Sequence, residues 1–158
     1  MIFFYNIFRL AYKSAIGLAA NWNPKARKWV DGRKNWQEEL TVNWKNEPGK
    51  PVVWMHCASL GEFEQGRPII EEIKTKYPNA KILLTFFSPS GYEIRKNYMG
   101  ADHVMYLPFD SAGNANDFLD IVNPKLAIFV KYEFWHYYLS ELNNRKIETI
   151  LVSGIFRP

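Results

Sequence analysis

Two carboxylates stand where an acid or a base would be useful. Glu62 closes the stretch HCASLGE, residues 56–62, between an apolar run and a helical one. Glu133 follows the apolar run LAIFV and precedes Phe134 and Trp135. A carboxylate held within hydrogen-bond reach of a hydroxyl can take its proton, so either could act as a general base. Each also has a structural reading. Ser59 and Glu62 have the spacing of a capping box, in which Ser59 caps the N–H of residue 62 and Glu62 reaches back to the N–H of Ser59. A helix N-terminus keeps Glu62 ionised and weakens it as a base, whereas apolar surroundings raise its proton affinity. Gly61, between the two, lets backbone or substrate approach closely. Glu133, beside a buried strand, needs partners: a nearby cation, or a role as a second active-site carboxylate.

Other chemistries fit less well. Gly61 and Gly66 lack the middle glycine of a dinucleotide fingerprint. A Walker motif would need Lys at 67 and Ser or Thr at 68, where Arg67 and Pro68 stand. His56, His103 and His136 have no metal-ligand spacing among themselves or with Cys57, so no metal is expected. His56, ending a strand, reads as a satisfied structural histidine. Ser88-Pro89-Ser90-Gly91 is a turn and helix start. Ser90 and Glu93 repeat the S-x-x-E spacing, and the turn could equally present N–H groups to a phosphate.

The elements that must hold these residues follow from periodicity. Short β-rich runs at 52–56, 81–87, 103–107, 125–132 and 149–154 alternate with helical or loop segments near 62–76, 90–98, 114–122 and 134–145. Strands alternating with helices predict an α/β fold, a Rossmann-like parallel sheet flanked by helices. Near-continuous apolar strands such as LAIFV fit burial on both faces. In such sheets ligands bind beyond the C-terminal strand ends, which is where HCASLGE, SPSGYE, PFD, EFWHYY and SGIFRP fall.

The N-terminal part differs in kind. Residues 1–50 carry nine Lys/Arg and four Asp/Glu, a balance of +5, and residues 51–158 carry eleven and twelve, a balance of −1. MIFFYNIFRLAYKSAIGLAANW is apolar, with Arg9 and Lys13 four residues apart on one helix face. No uncharged run reaches the ~18 residues of a membrane span. The pattern predicts a helix in the bilayer interface with its cations on the wet side, followed by a Trp-rich basic segment that includes Arg33 and Lys34. Arg9, Lys13, Arg33 and Lys34 are therefore the expected membrane or phosphate contacts. The alternative is an amphipathic helix packed on its own domain. Nucleic acid is not an expected partner, because no reader motif is present. The run EPGKP at 47–51 separates an N-terminal segment, 1–46, from the α/β body, 51–158. The single cysteine rules out an intrachain disulfide.

Taken in order, HCASLGE, YPNAKILLTFFSPSG, YLPFD and NPKLAIFVKYEFW resemble the N-terminal part of the 3-deoxy-D-manno-octulosonic acid (Kdo) transferases, up to about residue 153. The resemblance implies the first Rossmann-like half of a GT-B glycosyltransferase, with the C-terminal donor domain absent from this chain. It implies transfer of Kdo from CMP-Kdo to a lipid A precursor in lipopolysaccharide biosynthesis, by an inverting, metal-independent enzyme at the cytoplasmic face of the bacterial inner membrane. It implies no cofactor beyond that donor substrate, and a fragment inactive by itself. Glu62 matches the carboxylate taken as general base, and Glu133 matches the second carboxylate of a Glu-Thr-Glu-x-Trp-Pro run. Here Lys131 replaces the first carboxylate and His136 the proline. Ser59, Gly61, Ser88, Ser90 and Gly91 match acceptor-side turns. Ile155 stands at an expected arginine, leaving Arg157 as its substitute in acceptor binding. Two other readings stay open: a non-catalytic membrane-surface binding module, and a related GT-B enzyme with another acceptor.

Overall fold

The computed structural model describes residues 2–154, so Arg157 lies outside the described residues. Three helices come first: α1 (Ile2–Ala19), α2 (Pro24–Asp31) and α3 (Trp36–Asn43). The α/β body then runs β1 (Val52–Cys57), α4 (Leu60–Lys76), β2 (Lys81–Phe86), α5 (Pro89–Arg95), β3 (His103–Tyr106), α6 (Ala112–Val122), β4 (Leu126–Val130), α7 (His136–Asn144) and β5 (Glu148–Val152). The expected alternation holds, with element ends differing by a few residues.

All four strand pairings are parallel, and the sheet order is β3-β2-β1-β4-β5. The central strand, β1, pairs Val52 with Lys81 of β2 on one side and Val53 with Leu126 of β4 on the other. The winding reverses between β1 and β4, and the crevice outside their C-terminal ends is the topological switch point where such sheets bind ligands.

The two-residue period of β1 divides its side chains between two cores. Met55 and Cys57 pack with Phe63, Ile70, Leu84 and Phe86. Trp54 packs with Leu83, Phe118, Phe129 and Tyr138. The second core also takes in Trp36, Leu40 and Trp44, spaced as one helical stripe. The residues before the EPGKP linker are therefore not set apart: α3 closes the core of the body.

Helix α1 buries no residue fully. It is held by hydrogen bonds and by ring contacts, Tyr12 against Trp29 and Phe87 and Tyr5 against Tyr137. The Tyr5 hydroxyl donates to the Asp110 carboxylate, Arg9 donates to the Asp110 carbonyl at 2.8 Å, and the Tyr137 hydroxyl donates to Asn6 at 2.9 Å. Ile2, Phe3, Phe4, Ile7, Phe8, Leu10 and Leu18 are exposed instead. This corrects the expected orientation. Arg9 packs on the body with the polar residues beside it, Lys13 stays exposed at the edge of that face, and the apolar face is left open.

Candidate active site

Strand β1 ends at Cys57, and the chain turns through Ala58 and Ser59 into α4. Ser59 is extended, at φ −141° and ψ 173°, and the capping box forms. The Glu62 Oε2 atom accepts the N–H of Ala58 at 2.5 Å and of Ser59 at 3.3 Å. No hydrogen bond from the described residues reaches Oε1. The contest over this carboxylate's proton affinity has an outcome: its pKa is raised. Burial is the largest cause and the charge of Glu133 the next, and these outweigh the two backbone N–H groups and His56. The turn that starts α4 holds one carboxylate oxygen and leaves the other without a hydrogen bond from the described residues.

Glu133 reaches the same crevice from β4. After Val130 the chain enters the left-handed region at Lys131 (φ 63°), whose N–H bonds the Val152 carbonyl at 2.8 Å. A non-glycine residue there costs of order 1 kcal/mol or more, strain typical of functional turns. The turn brings Glu133 over the end of β1. Its Oε2 accepts the Trp135 indole N–H at 2.8 Å and lies 3.5 Å from His56 Nε2. His56 is fully buried, and its Nδ1 is 2.9 Å from the Thr85 hydroxyl, which also accepts the Trp54 indole N–H at 2.8 Å. The partners Glu133 needs are thus an indole and an imidazole. Cys57 is buried, and burial with the charges of Glu62 and Glu133 pushes its thiol well up, out of use as a nucleophile.

The remaining site residues divide. Gly61 is exposed, with open space where a Cβ would stand. Ser88 is close by, its N–H bonded to the Ala58 carbonyl at 2.7 Å. Ser88 caps α5 by accepting the Ser90 N–H at 3.2 Å, and the two hydroxyls are 3.0 Å apart. The Ser90–Glu93 box does not form, because Glu93 pairs with Lys28 at 2.9 Å. Gly91 is buried, and a Cβ there would sit 2.2 Å from the Phe86 ring. That corrects its assignment: Gly91 allows packing and cannot touch an acceptor.

Arg33 and Arg9 are corrected likewise, while Lys13 and Lys34 stay exposed. Arg33 does not face outward. Its guanidinium donates to the carbonyls of Leu107, Trp29 and Phe87 at 2.9, 2.9 and 2.8 Å and stacks on Trp29, 4.0 Å from the ring centre. Burial lowers its pKa to about 9, so it remains charged at neutral pH. Arg9 is spent on Asp110 and on the faces of Phe109 and Tyr137. Lys13 lies over Phe109 at 5.9 Å, and exposed Lys34 pairs with Asp31 at 2.7 Å. Lys13, Arg33 and Lys34 share the lining of one cavity of about 390 Å³ with Trp29 and Phe109.

Sequence reasoning missed Asp110, Thr85, Trp135 and the part His56 plays. Asp110 is buried, and its carboxylate accepts the N–H groups of Tyr137 and Tyr138 at 3.2 and 3.1 Å, so it caps α7 from a distance. Its place at a strand end was the only available signal. Among the described residues, no three His, Cys, Asp or Glu side chains lie together as metal ligands.

Fold and site define a doubly wound α/β domain with two interacting carboxylates at its switch point. A family model described as 3-deoxy-D-manno-octulosonic-acid transferase (kdotransferase) matches residues 34–158, and the chain belongs to that family. It is 32% identical over 141 residues to a 3-deoxy-D-manno-octulosonic acid transferase of Haemophilus influenzae, covering 88% of this chain and 32% of that protein. It is 37% identical over 87 residues to the transferase of the same name from Aquifex aeolicus, covering 54% and 24%. A bifunctional glycosyltransferase/methyltransferase of Fusobacterium nucleatum is 26% identical over 120 residues, covering 74% and 19%. The chain spans about a third or less of the length of these relatives.

Proposed function

We propose that this chain is the acceptor-side half of a GT-B glycosyltransferase that moves Kdo from CMP-Kdo to a lipid A precursor in lipopolysaccharide biosynthesis. The observation that carries the reading is the meeting of Glu62 and Glu133 at the switch point, close enough for one charge to raise the other's pKa. The Glu62 Oε1 atom takes the proton of an acceptor sugar hydroxyl. The hydroxyl oxygen then attacks the anomeric carbon of Kdo on one face while CMP leaves from the other, inverting the configuration. A base with raised proton affinity, fixed by two backbone N–H groups, suits that step. Glu133 keeps Glu62's affinity high and offers acceptor hydroxyls a second carboxylate. Ser59 and Ser88 line the approach, and no metal takes part. A separate C-terminal domain binds the donor, and this half alone is inactive.

The open apolar face of α1 supports a place on the cytoplasmic surface of the inner membrane. Among the described residues no helix is long and apolar enough to cross a membrane. An amphipathic helix lies in the interface with its apolar face toward the acyl chains, and this one would bring the crevice to a lipid-borne acceptor.

The test is Glu62→Gln in the full-length enzyme, assayed with CMP-Kdo and a lipid A precursor. A general base contributes about 10²–10⁴-fold, and a loss of that size with normal folding is expected. Near-normal turnover would remove Glu62 from the base role. Transfer from another nucleotide sugar and none from CMP-Kdo would favour a related glycosyltransferase.

A further inference from the structure

Two tryptophans bracket the buried imidazole of His56. The Trp54 indole N–H donates to Thr85 Oγ1 at 2.8 Å, and Thr85 Oγ1 is 2.9 Å from His56 Nδ1. On the other side the Trp135 indole N–H points to His56 Nε2 at 3.2 Å while donating to Glu133 Oε2 at 2.8 Å. An indole can only donate, so the two rings set the direction of the chain between them. Facing Trp135, His56 Nε2 must offer a lone pair, and the ring proton therefore sits on Nδ1. That proton goes to Thr85 Oγ1, whose own proton turns to the Met55 carbonyl at 3.4 Å. Every member of the chain then has a role consistent with its chemistry. The opposite tautomer would set N–H against N–H at 3.2 Å.

We propose that His56 is a positioning residue for the second carboxylate. Held as the Nδ1–H tautomer by Thr85, it fixes the indole that carries Glu133, and through it the placement of Glu133 opposite Glu62. The charged groups acting on this imidazole are Glu133, from the turn after β4, and Glu62, from α4. His56 has no surface of its own in the crevice, being fully buried, so it acts through Trp135 and Glu133 and does not touch substrate. The inference rests on the transferase reading for its activity assay alone.

The experiment has two arms on the full-length enzyme. In the first, ¹⁵N-histidine NMR, with His56→Gln used to assign the signal, reads the tautomer. A protonated Nδ1 and a bare Nε2 are expected, and Trp135→Phe should release a mixture of tautomers. A protonated Nε2 in the parent, or no change in Trp135→Phe, overturns the proposal whatever the enzyme transfers. The second arm is kinetic. Misplacing a reacting group by about 1 Å costs on the order of 10²-fold, so His56→Ala should lower kcat by about that factor with KM for both substrates within about threefold. His56→Gln, whose amide oxygen can still receive the Trp135 N–H, should recover part of the loss. The acid limb of the kcat/KM profile should move to lower pH in His56→Ala, and less so in His56→Gln, because a displaced Glu133 raises Glu62's pKa less. Equal losses in both variants with an unmoved acid limb would leave His56 a purely structural residue and overturn the positioning role. Failure of the parent to transfer Kdo would count against the functional reading, while the tautomer arm would still decide this one.

Discussion

Asp110 and Tyr5, 105 residues apart in the chain, share a hydrogen bond between a buried carboxylate and a helix that buries nothing fully. The same carboxylate caps α7 through the N–H groups of Tyr137 and Tyr138. One side chain thus ties the N-terminal helix to the wall of the crevice. Losing a buried carboxylate that satisfies several donors leaves those donors unpaired, at about 1–3 kcal/mol each. Asp110→Ala should therefore destabilise the protein by about 3 kcal/mol or more in urea unfolding. Tyr5→Phe, losing one bond, should cost about 1 kcal/mol and speed hydrogen exchange in α1 alone. Unchanged exchange in Tyr5→Phe would mean that α1 is held by something else.

The apolar face of α1 makes its own prediction. Phe4 and Phe8 are 75% and 70% exposed, so replacing them cannot disturb a core. Burying one such side chain is worth about 1.5–3 kcal/mol. Phe4→Ser with Phe8→Ser should weaken binding to anionic phospholipid vesicles at least about tenfold, with thermal stability unchanged. Undiminished co-sedimentation would assign the face to a protein partner.

Glu62 predicts a pH dependence of stability. Its pKa is higher in the folded chain than the ordinary carboxylate value, so the native state holds this proton more tightly than the unfolded state does. The contribution is fully present below the unfolded value, about 4.3, and is lost as pH rises through the folded one. Glu62→Gln, which carries no charge, should thus gain in melting temperature relative to the parent between pH 5 and pH 8. The gap should close on acidification toward about pH 4. A gap that widens instead would mean that the cap holds Glu62 ionised and that it is a poor base.

Arg33 carries a charge into the protein with carbonyls and rings as its partners. Removing it leaves three carbonyls, of Trp29, Phe87 and Leu107, short of a donor. Hydrogen bonds to charged groups contribute about 1.5–3 kcal/mol each. Arg33→Met should cost at least about 3 kcal/mol, and Arg33→Lys should recover only part, because an ammonium cannot fork to three acceptors while stacking on Trp29. If Arg33→Met unfolds like the parent but binds anionic vesicles less well, the surface role expected from sequence would be restored.

What could be read from sequence was local. Strand and helix positions follow from periods of two and near four, and the capping box at Ser59 follows from a four-residue spacing. The helical character and amphipathicity of α1 are equally local. Periodicity does not say what an apolar face meets, however. Arg9 of α1 could face water or protein, and only the packed body, offering Asp110, Phe109 and Tyr137, decided the matter. Arg33 and Lys34 are neighbours in one basic run, yet one is enclosed by carbonyls and the other is exposed. The catalytic proposal turns on the same distinction. Glu62 reads as a cap, and Glu133, 71 residues later, as a carboxylate in need of partners. They share a crevice because β4 pairs beside β1, a long-range pairing that no local pattern encodes, and because a left-handed turn at Lys131 swings the chain back across it. Sequence by itself determined the elements and the residues at their ends. Tertiary structure decided which ends meet, and with that the burial and the neighbouring charge that raise Glu62's proton affinity.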